Sequence, residues 1–593
     1  MPANSTDTLQ QTVIKVGDNE QEVVFVQLTL EEKMLETGNF SFIWKNEMGD
    51  SYSTDQQKFI QDFIGKPITI HLNQAYIFKG VITQIAFNQN DGLTQDYRVS
   101  GSGLGILLSD QVHSTSFYQK DLKHMVDSCF EGIPSNLLSV ENKPKKTSSI
   151  FYTVQYAESD LSFLVNLAIR HGEWMYYNGE KLMFGEINQE PNTLEAGTDI
   201  IDIVFSSSIR SSQLNVVGSN YHDDQLLNAA VNPSNASGLL SSLQDAGSNV
   251  YSRSPKKKLY NPNFPTQSSI DQYSSTELKA RAARLIHLTA SSRNASIKLG
   301  STIEIKFGNK SEKYIVTQIS HFSNGHQDYS NQFLAFPASI EVPHYTNPSW
   351  FPKAETQTAK IIDNEDSDGM DRVKVHFPWQ QDNDNSPWIR IQNPHAGNGK
   401  GFRFVPEKDE EVMIGFENGN VEKPYVIGAV FNGSGKSGSG TSSNHLKSIS
   451  TKSGNKLVLN DEDGSITVTD KGGNTLVMDG SGKINLKCSD SLIIDATNNI
   501  ELKSQKIKLN ASVSVDIAGK TTVDVAANSV VTKAATISSE ATADNTIKSS
   551  GSMNVEGLTT SVKGSTSTSV EGAMLDLKGT GITNVKGGIL NLN

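Results

Sequence analysis

The chain has 593 residues, a formal net charge of −13 and two cysteines. That length exceeds one ordinary core and predicts several domains. The acidic balance argues against a general nucleic-acid binder, and no apolar run approaches the roughly 18 residues that a membrane-spanning helix needs.

From the N-terminus, MPANSTDTLQQTV has neither a basic n-region nor an apolar h-region, so no Sec-type signal peptide is expected. Cys129 and Cys488 lie far apart, which suggests a reducing compartment and no disulfide frame. Ile68–Leu72 and Tyr76–Phe87 alternate like barrel strands. Leu122, Met125, Val126 and Cys129 fall at i, i+3, i+4 and i+7, an amphipathic helix with Cys129 in its core face. The run Gln155-Tyr-Ala-Glu-Ser-Asp-Leu-Ser-Phe-Leu164 offers Ser159 as N-cap and Asp160 in a first turn, and Gly172 suits the stop. Ser274 and Glu277 form a capping box before Leu278–Leu285. A second distinctive run, Tyr329-Ser-Asn-Gln-Phe-Leu-Ala-Phe-Pro337, follows. Residues 188–275 carry no recognisable pattern. The lysines of the Lys143–Lys146 cluster and of Lys256–Lys258 read as solvated surface.

Residues 351–433 read as a small barrel of four to five short strands, an OB-fold. Arg372–Phe377, Trp388–Ile391, Glu411–Phe416 and Tyr425–Val430 carry strand patterns, with a turn at Glu417–Asn420. Nucleic-acid binding would want a basic groove with exposed aromatics. The segment instead carries Asp382, Asp384, Glu407, Asp409, Glu410, Glu411 and Glu422.

Residues 434–444 are a Gly/Ser linker. From His445 to Asn593 there is no Phe, Tyr, Trp, Pro or Arg; all 24 Phe, 16 Tyr and 5 Trp lie earlier. The 15 Lys of this tail balance its 15 Asp plus Glu, so the whole negative excess belongs to residues 1–444. An ordinary core would use rings for bulk. Apolar pairs with one residue between their members recur instead: Ile484/Leu486, Leu492/Ile494, Ile500/Leu502 and Ile507/Leu509, starting 8, 8 and 7 residues apart. Val513/Val515 and Val523/Val525 continue the series, which weakens around Val530–Ile547. Each pair puts two side chains on one face of a short strand. A repeat near eight suits three chains winding together, with a chain's own strands about 14 Å apart and the other two filling the gaps. Low-complexity disorder and a single-chain β-solenoid are the competing readings. On the interlaced reading, residues 445–593 form a needle on the order of 85 Å long.

These segments resemble the VgrG-type central spike proteins of contractile injection systems. Arg372–Trp379, Trp388–Ile391, Gly401–Pro406, Glu411–Phe416 and Pro424–Gly433 resemble the family's OB domain. Gln155–Leu164 resembles its QYxESDxxFL motif and Tyr329–Pro337 its YSNxFxAxP motif. The resemblance implies a mainly β chain: a phage-hub-like base over residues 1–350 with β-barrels and a few helices, the OB-fold at 351–433, and a trimeric β-helix after it. It implies a homotrimer that docks on a hexameric, Hcp-like inner tube and joins a baseplate. It further implies that the needle meets the target membrane transiently, carries effector proteins and is capped by a PAAR-repeat protein. Ile589, Leu590 and Leu592 are the expected platform for that cap, because a ladder that stops leaves unpaired groups. The protein would be made in the cytoplasm and delivered outward or into a target cell. A trimeric β-helical adhesin or tail fibre is the other reading. No HExxH, GxSxG, Walker A or CxxC occurs, so no enzyme, catalytic residue or cofactor is expected. Three chains could hold a metal through an H-x-H pattern. The tail has only His445, so no metal is expected. The pattern does not distinguish type VI secretion, an extracellular particle and a phage.

Overall fold

The computed structural model describes residues 11–592 except 46–53, 74–75, 91–93, 188–190, 232–237, 263–265, 326–327 and 382–383. The expected leaderless start, Asp382 and the terminal Asn593 lie outside the described residues, as do three stretches of the patternless region 188–275. Two compact units emerge, residues 1–489 and 490–593.

Alternation at period two builds most of the first unit. Asn39–Lys45 reads NFSFIWK and turns Phe40, Phe42 and Trp44 inward, each under 5 % exposed. Pro67–Leu72 and Tyr76–Asn90 form an antiparallel pair, as their alternation predicts. These strands belong to a 13-stranded sheet that runs from Ile200–Ser207 at one edge to Gln21–Val23 at the other. Two cores press on it. One gathers Ile14, Phe40, Phe59, Phe78 and Tyr97, with the Phe59 and Tyr97 rings stacked at 4.0 Å. The other gathers Leu194, Leu288, Ile303, Val316, Ile319 and Phe333. Each such side chain, fully buried, contributes about 1.5–3 kcal/mol. The halves share one seam, where Phe25–Lys33 pairs with Lys310–Ser323.

The helix Leu122–Ser128 buries Leu122, Met125 and Val126, and Cys129 follows at 4 % exposure. Its thiol is pushed well up by burial, which suits a core residue. Ser159 caps the helix Asp160–His171, accepting from Ser162 N–H at 3.3 Å. Gly172 ends it at φ 70°, the left-handed conformation that favours glycine. The expected capping box at Ser274 and Glu277 is overturned. Thr266 and Ser269 form the box, and Ser274 lies inside the resulting helix Gln267–Ala282. A Thr with Ser three residues on reached the backbone donors a full two turns earlier. That helix packs on a three-stranded sheet of Gln225–Val231, Leu214–Asn220 and Lys257–Leu259, around Val216, Ile270 and Tyr273.

The OB barrel contains a four-stranded sheet in the order Lys374–His376, Gln357–Asp363, Glu411–Phe416, Pro424–Ala429. Gln357–Asp363 was not anticipated. Trp388–Ile391 is not a ladder strand: Ile389 bridges Val373 and Ile391 bridges Val426, singly. Pro387 and Pro394 bracket this segment, and proline removes the donors a ladder needs.

The tail departs from its expected form at its start. Leu446–Ser450, Lys456–Asn460, Ile466–Thr469, Thr475–Met478 and Ile484–Lys487 pair with one another as a five-stranded antiparallel meander. Residues 446–487 therefore pair within one chain as an open sheet, with Leu446–Ser450 and Ile484–Lys487 at its edges. Their strands start nine to ten residues apart, not seven to eight. The turns explain the difference. Asp463 and Asp479 accept from backbone N–H groups within their own turns. Gly480 sits at φ 73°, where a Cβ would meet Asp463 O at 2.1 Å.

In the second unit, residues 490–592 contain neither helix nor strand, and every one of them is exposed. The expected interlaced β-helix has no ladder within one copy of this segment.

Candidate functional site

The Gln155–Leu164 run turns from strand to helix and holds the hub to the OB barrel. On the strand Ile150–Glu158, Tyr152 and Val154 leave the hub core and join the barrel core beside Val375, Val412 and Val426. Gln155 is buried and its Nε2 donates to Asp160 Oδ1 at 3.0 Å and to Glu158 O at 3.2 Å. Those bonds fix the corner. His113 Nε2 also lies 3.0 Å from Asp160 Oδ1. Burial pushes the Glu158 carboxyl up to about 7, despite a bond from Asn166 Nδ2. The helix then carries Arg170 to the barrel. Its guanidinium donates to both oxygens of Glu422, at 2.7 and 2.6 Å, and stacks 4.7 Å from the Phe351 ring. The two side chains are 8 % and 3 % exposed. Trp379 of the barrel meets Tyr156 edge-on at 6.3 Å, and Gln380 Nε2 donates to Ser116 Oγ at 2.6 Å.

The Tyr329–Pro337 run closes the seam. Tyr329, Asn331, Phe333 and Ala335 all face inward. Tyr329 Oη lies 2.6 Å from His321 Nδ1 and accepts from Asn331 Nδ2 at 3.0 Å. His321 Nε2 lies 3.2 Å from Glu32 Oε2, and Tyr76 O–H donates to Glu32 Oε1. All five side chains are buried. Burial and the neighbouring Glu32 carboxylate push the Tyr76 and Tyr329 phenols well up.

A third polar knot joins the barrel to the hairpin at Tyr221 and His222. Arg372 donates to both Asp366 oxygens, at 2.8 and 2.7 Å, and to Asp368 at 2.5 Å. Its Nη1 lies 3.2 Å from His222 Nε2. The bonds from Arg372 hold the Asp366 carboxyl far below the usual carboxylate range. Arg390 stacks 4.3 Å from the Tyr221 ring. Sequence reading missed Glu32, Arg170 and His321, and named Glu422 only as a barrel acid, since each partner lies more than 200 residues away or across the seam.

The predicted needle residues divide into two sets. Ile484 and Leu486 lie on the last meander strand, opposite Met478 and Leu476. Following the register puts Ile449, Leu457, Leu459, Ile466, Val468, Leu476, Met478, Ile484 and Leu486 on one face. None of the nine is buried, and Ile484 is 67 % exposed. Leu492, Ile494, Ile500, Leu502, Ile507, Leu509, Val513, Val515, Val523 and Val525 lie in the second unit, all more than half exposed. Ile589, Leu590 and Leu592 are open too. His445 rests on Ser443 and faces Glu462 at 3.5 Å. Among the described residues no group of three or more His, Cys, Asp or Glu is placed to hold a metal ion. No described helix is long and apolar enough to cross a membrane.

Comparison with known proteins agrees with this layout. Residues 50–327 match the phage tail baseplate hub family, and residues 357–431 match the type VI secretion system/phage-baseplate injector OB domain. A type VI secretion system spike protein of Pseudomonas aeruginosa, VgrG4b, is 33 % identical over 116 residues, 18 % of this chain and 14 % of that protein. VgrG3 of Vibrio cholerae is 29 % identical over 119 residues, 18 % of this chain and 11 % of that protein. The matched stretches thus span a small part of these relatives. A solved Francisella PdpA-VgrG complex, described as lidded, shares the fold at TM-score 0.55 and 11 % identity, over 82 % of this chain and 81 % of that one. With a baseplate-hub match followed by an injector OB match, and type VI spike proteins among the relatives, these comparisons support a VgrG-type spike.

Proposed function

We propose that this chain is the hub and spike of a contractile injection machine, working as a homotrimer. The hub seats on a hexameric inner tube within the baseplate. The tail is the needle driven through a target envelope, with effector proteins carried along. The work comes from contraction; the chain supplies stiffness and docking surfaces. Its hub–barrel joint suits that task, because a bidentate fork fixes an angle that apolar packing alone leaves free.

One observation carries the trimer. The meander presents nine apolar side chains on one open face, on the order of 500 Å² of surface, which is the size of patch that marks an interaction site. Two further copies of the same face would cover it around a three-fold axis. Residues 490–592 support the same reading, since their strand-type pairs form no strand among the described residues and stand exposed. On this reading the three tails complete one ladder together, with the predicted pairs inside. Ile589, Leu590 and Leu592 then form the seat of a PAAR-repeat tip protein.

The full chain should scatter light as a trimer, about three times 64.6 kDa. Leu476→Asp, which places a charge on the shared face, should shift the population toward single chains. A β-rich full-length protein that stays at the mass of one chain would sink the proposal.

A further inference from the structure

The helix Gln267–Ala282 and its three-stranded sheet have a core of their own, and among the described residues no barrel side chain belongs to it or packs against it. Where this layer reaches the OB barrel, the contacts are polar. The hairpin of Leu214–Asn220 and Gln225–Val231 extends its tip, residues 221–224, to the barrel. The Tyr221 ring takes the Arg390 guanidinium at 4.3 Å, and His222 Nε2 lies 3.2 Å from Arg372 Nη1. Behind the tip, Asn261 accepts from Asn418 and Asn420, both at 3.2 Å.

The bond between His222 and Arg372 has one possible polarity. A guanidinium carries only donors and stays protonated. Nε2 must therefore offer its lone pair, with the ring proton on Nδ1. An imidazolium has no lone pair, so protonation turns the bond into a meeting of two cations. The arginine is not free to withdraw. It is buried, and it donates to both oxygens of Asp366 and to Asp368. Those bonds keep Asp366 ionised far below the usual carboxylate range, so acid does not loosen them first. The tip is half-buried at Tyr221 and His222 and is shaped by its own chain. Asn220 Oδ1 accepts from His222 N–H, and Asn220 Nδ2 donates to Asp223, both at 2.9 Å. The hairpin is therefore the side that moves. Burial and then Arg372 push the His222 pKa down, against Asp368, Asp223 and Asp366, and the net direction is down from 6.5. A ring lowered in this way contributes its bond in full above about 6.5 and loses it as pH falls through the lowered value.

We propose that His222 and Arg372 form an acid-released clasp, closed near neutral pH and opened by protonation of the ring, which frees the hairpin tip from the barrel. The Arg390–Tyr221 stacking remains in acid, but Arg390 is 47 % exposed and such a contact holds weakly. The region 188–275, patternless in sequence, thus carries an element that responds to acidification. This inference stands independently of the needle and of the trimer.

The test is hydrogen exchange of the full chain, read by mass spectrometry on peptides from residues 214–231 at about pH 5 and about pH 8 and corrected for intrinsic rates. Protection at the tip should fall about tenfold or more in acid, the loss of one charge-assisted bond. The strand Asn39–Lys45 is the reference and should keep its protection, which separates clasp opening from acid unfolding. His222→Gln, whose amide oxygen accepts from Arg372 at any pH, should abolish the acid step. His222→Lys, a fixed cation, should be as open at about pH 8 as wild type is at about pH 5. Glu158 does not mimic the step, because its raised carboxyl favours the folded state in acid. Equal tip protection at both pH values in wild type overturns the proposal, as does a fall shared equally by the reference strand. So does an acid step undiminished in His222→Gln, or His222→Lys with wild-type protection at about pH 8.

Discussion

Arg170→Met separates what the hub–barrel joint adds to stability from what it merely satisfies. The wild-type guanidinium sits at 8 % exposure against a carboxylate at 3 %, with two bonds under 2.8 Å. Methionine keeps the apolar stem but leaves Glu422 buried without its cation. Removing one partner of such a pair costs about 3–5 kcal/mol. Loss of the stacking on Phe351 adds about 1 kcal/mol. Arg170→Met combined with Glu422→Leu removes both charges and should regain most of the loss, because two apolar side chains of similar volume pay no desolvation. Urea unfolding can be followed by tryptophan fluorescence, with Trp379 lying against Tyr156 at this joint. The single variant should lower the midpoint sharply, and the double variant should sit near wild type. A single variant within about 1 kcal/mol of wild type, or a double variant no better than the single, would refute the view of the pair as a fully desolvated fork.

Two further outcomes follow from the motif residues. Glu158 has its carboxyl raised from 4.5 to about 7, so the folded state holds a proton that the unfolded state gives up earlier. Stability should therefore fall as pH rises from about 4.5 to 7. Glu158→Gln should flatten that slope by about 1–2 kcal/mol after allowance for partial solvent screening, read as denaturant midpoints at pH 5 and 8. At the seam, Tyr329→Phe removes the hydroxyl that serves both His321 and Asn331. It should cost about 1–3 kcal/mol with an unchanged denaturant slope, and a shift below about 0.5 kcal/mol would mean that the network is not closed as described.

Much of the hub was legible because its signals are local. Ser159 and Gly172 bound their helix at the residues where the side chain and the left-handed backbone demand it. The periodicity of Leu122, Met125, Val126 and Cys129 named a buried face. The two motif runs could be matched as strings, yet their physical role could not be read from them. Gln155 acts through a corner five residues on, but Arg170 acts through Glu422, 252 residues later. Tyr329 acts through His321 on a neighbouring strand and, beyond it, Glu32 near the N-terminus. The meander is a different failure. Its Asp- and Gly-bearing turns at Asp461–Gly464, Asp470–Gly473 and Asp479–Gly482 were visible in the sequence. The absence of aromatic residues is shared by the meander and the segment after it, and that compositional unity hid a change of period from nine or ten to seven or eight. Trp388–Ile391 alternated correctly but was flanked by prolines, which outrank alternation.

The polar knots lie where separate cores meet. Glu32 and His321 stand at the seam between the two hub cores, Arg170 and Glu422 between hub and barrel, and Arg372 and Asp366 between the barrel and the hairpin at His222. Apolar packing stabilises each core but is non-directional, so two cores in contact can slide at small cost. A bidentate fork tolerates no such sliding, because a shift of about 1 Å breaks both bonds and strands a charge in low dielectric. The Arg170–Glu422 fork therefore stiffens the hub–barrel boundary while leaving the cores to supply the stability. The open face of the meander lacks any such fork: Lys447 is the one charged side chain in its two apolar rows, at the edge. In the trimer proposed above, that face would be matched by shape and repetition, as identical copies of one chain are.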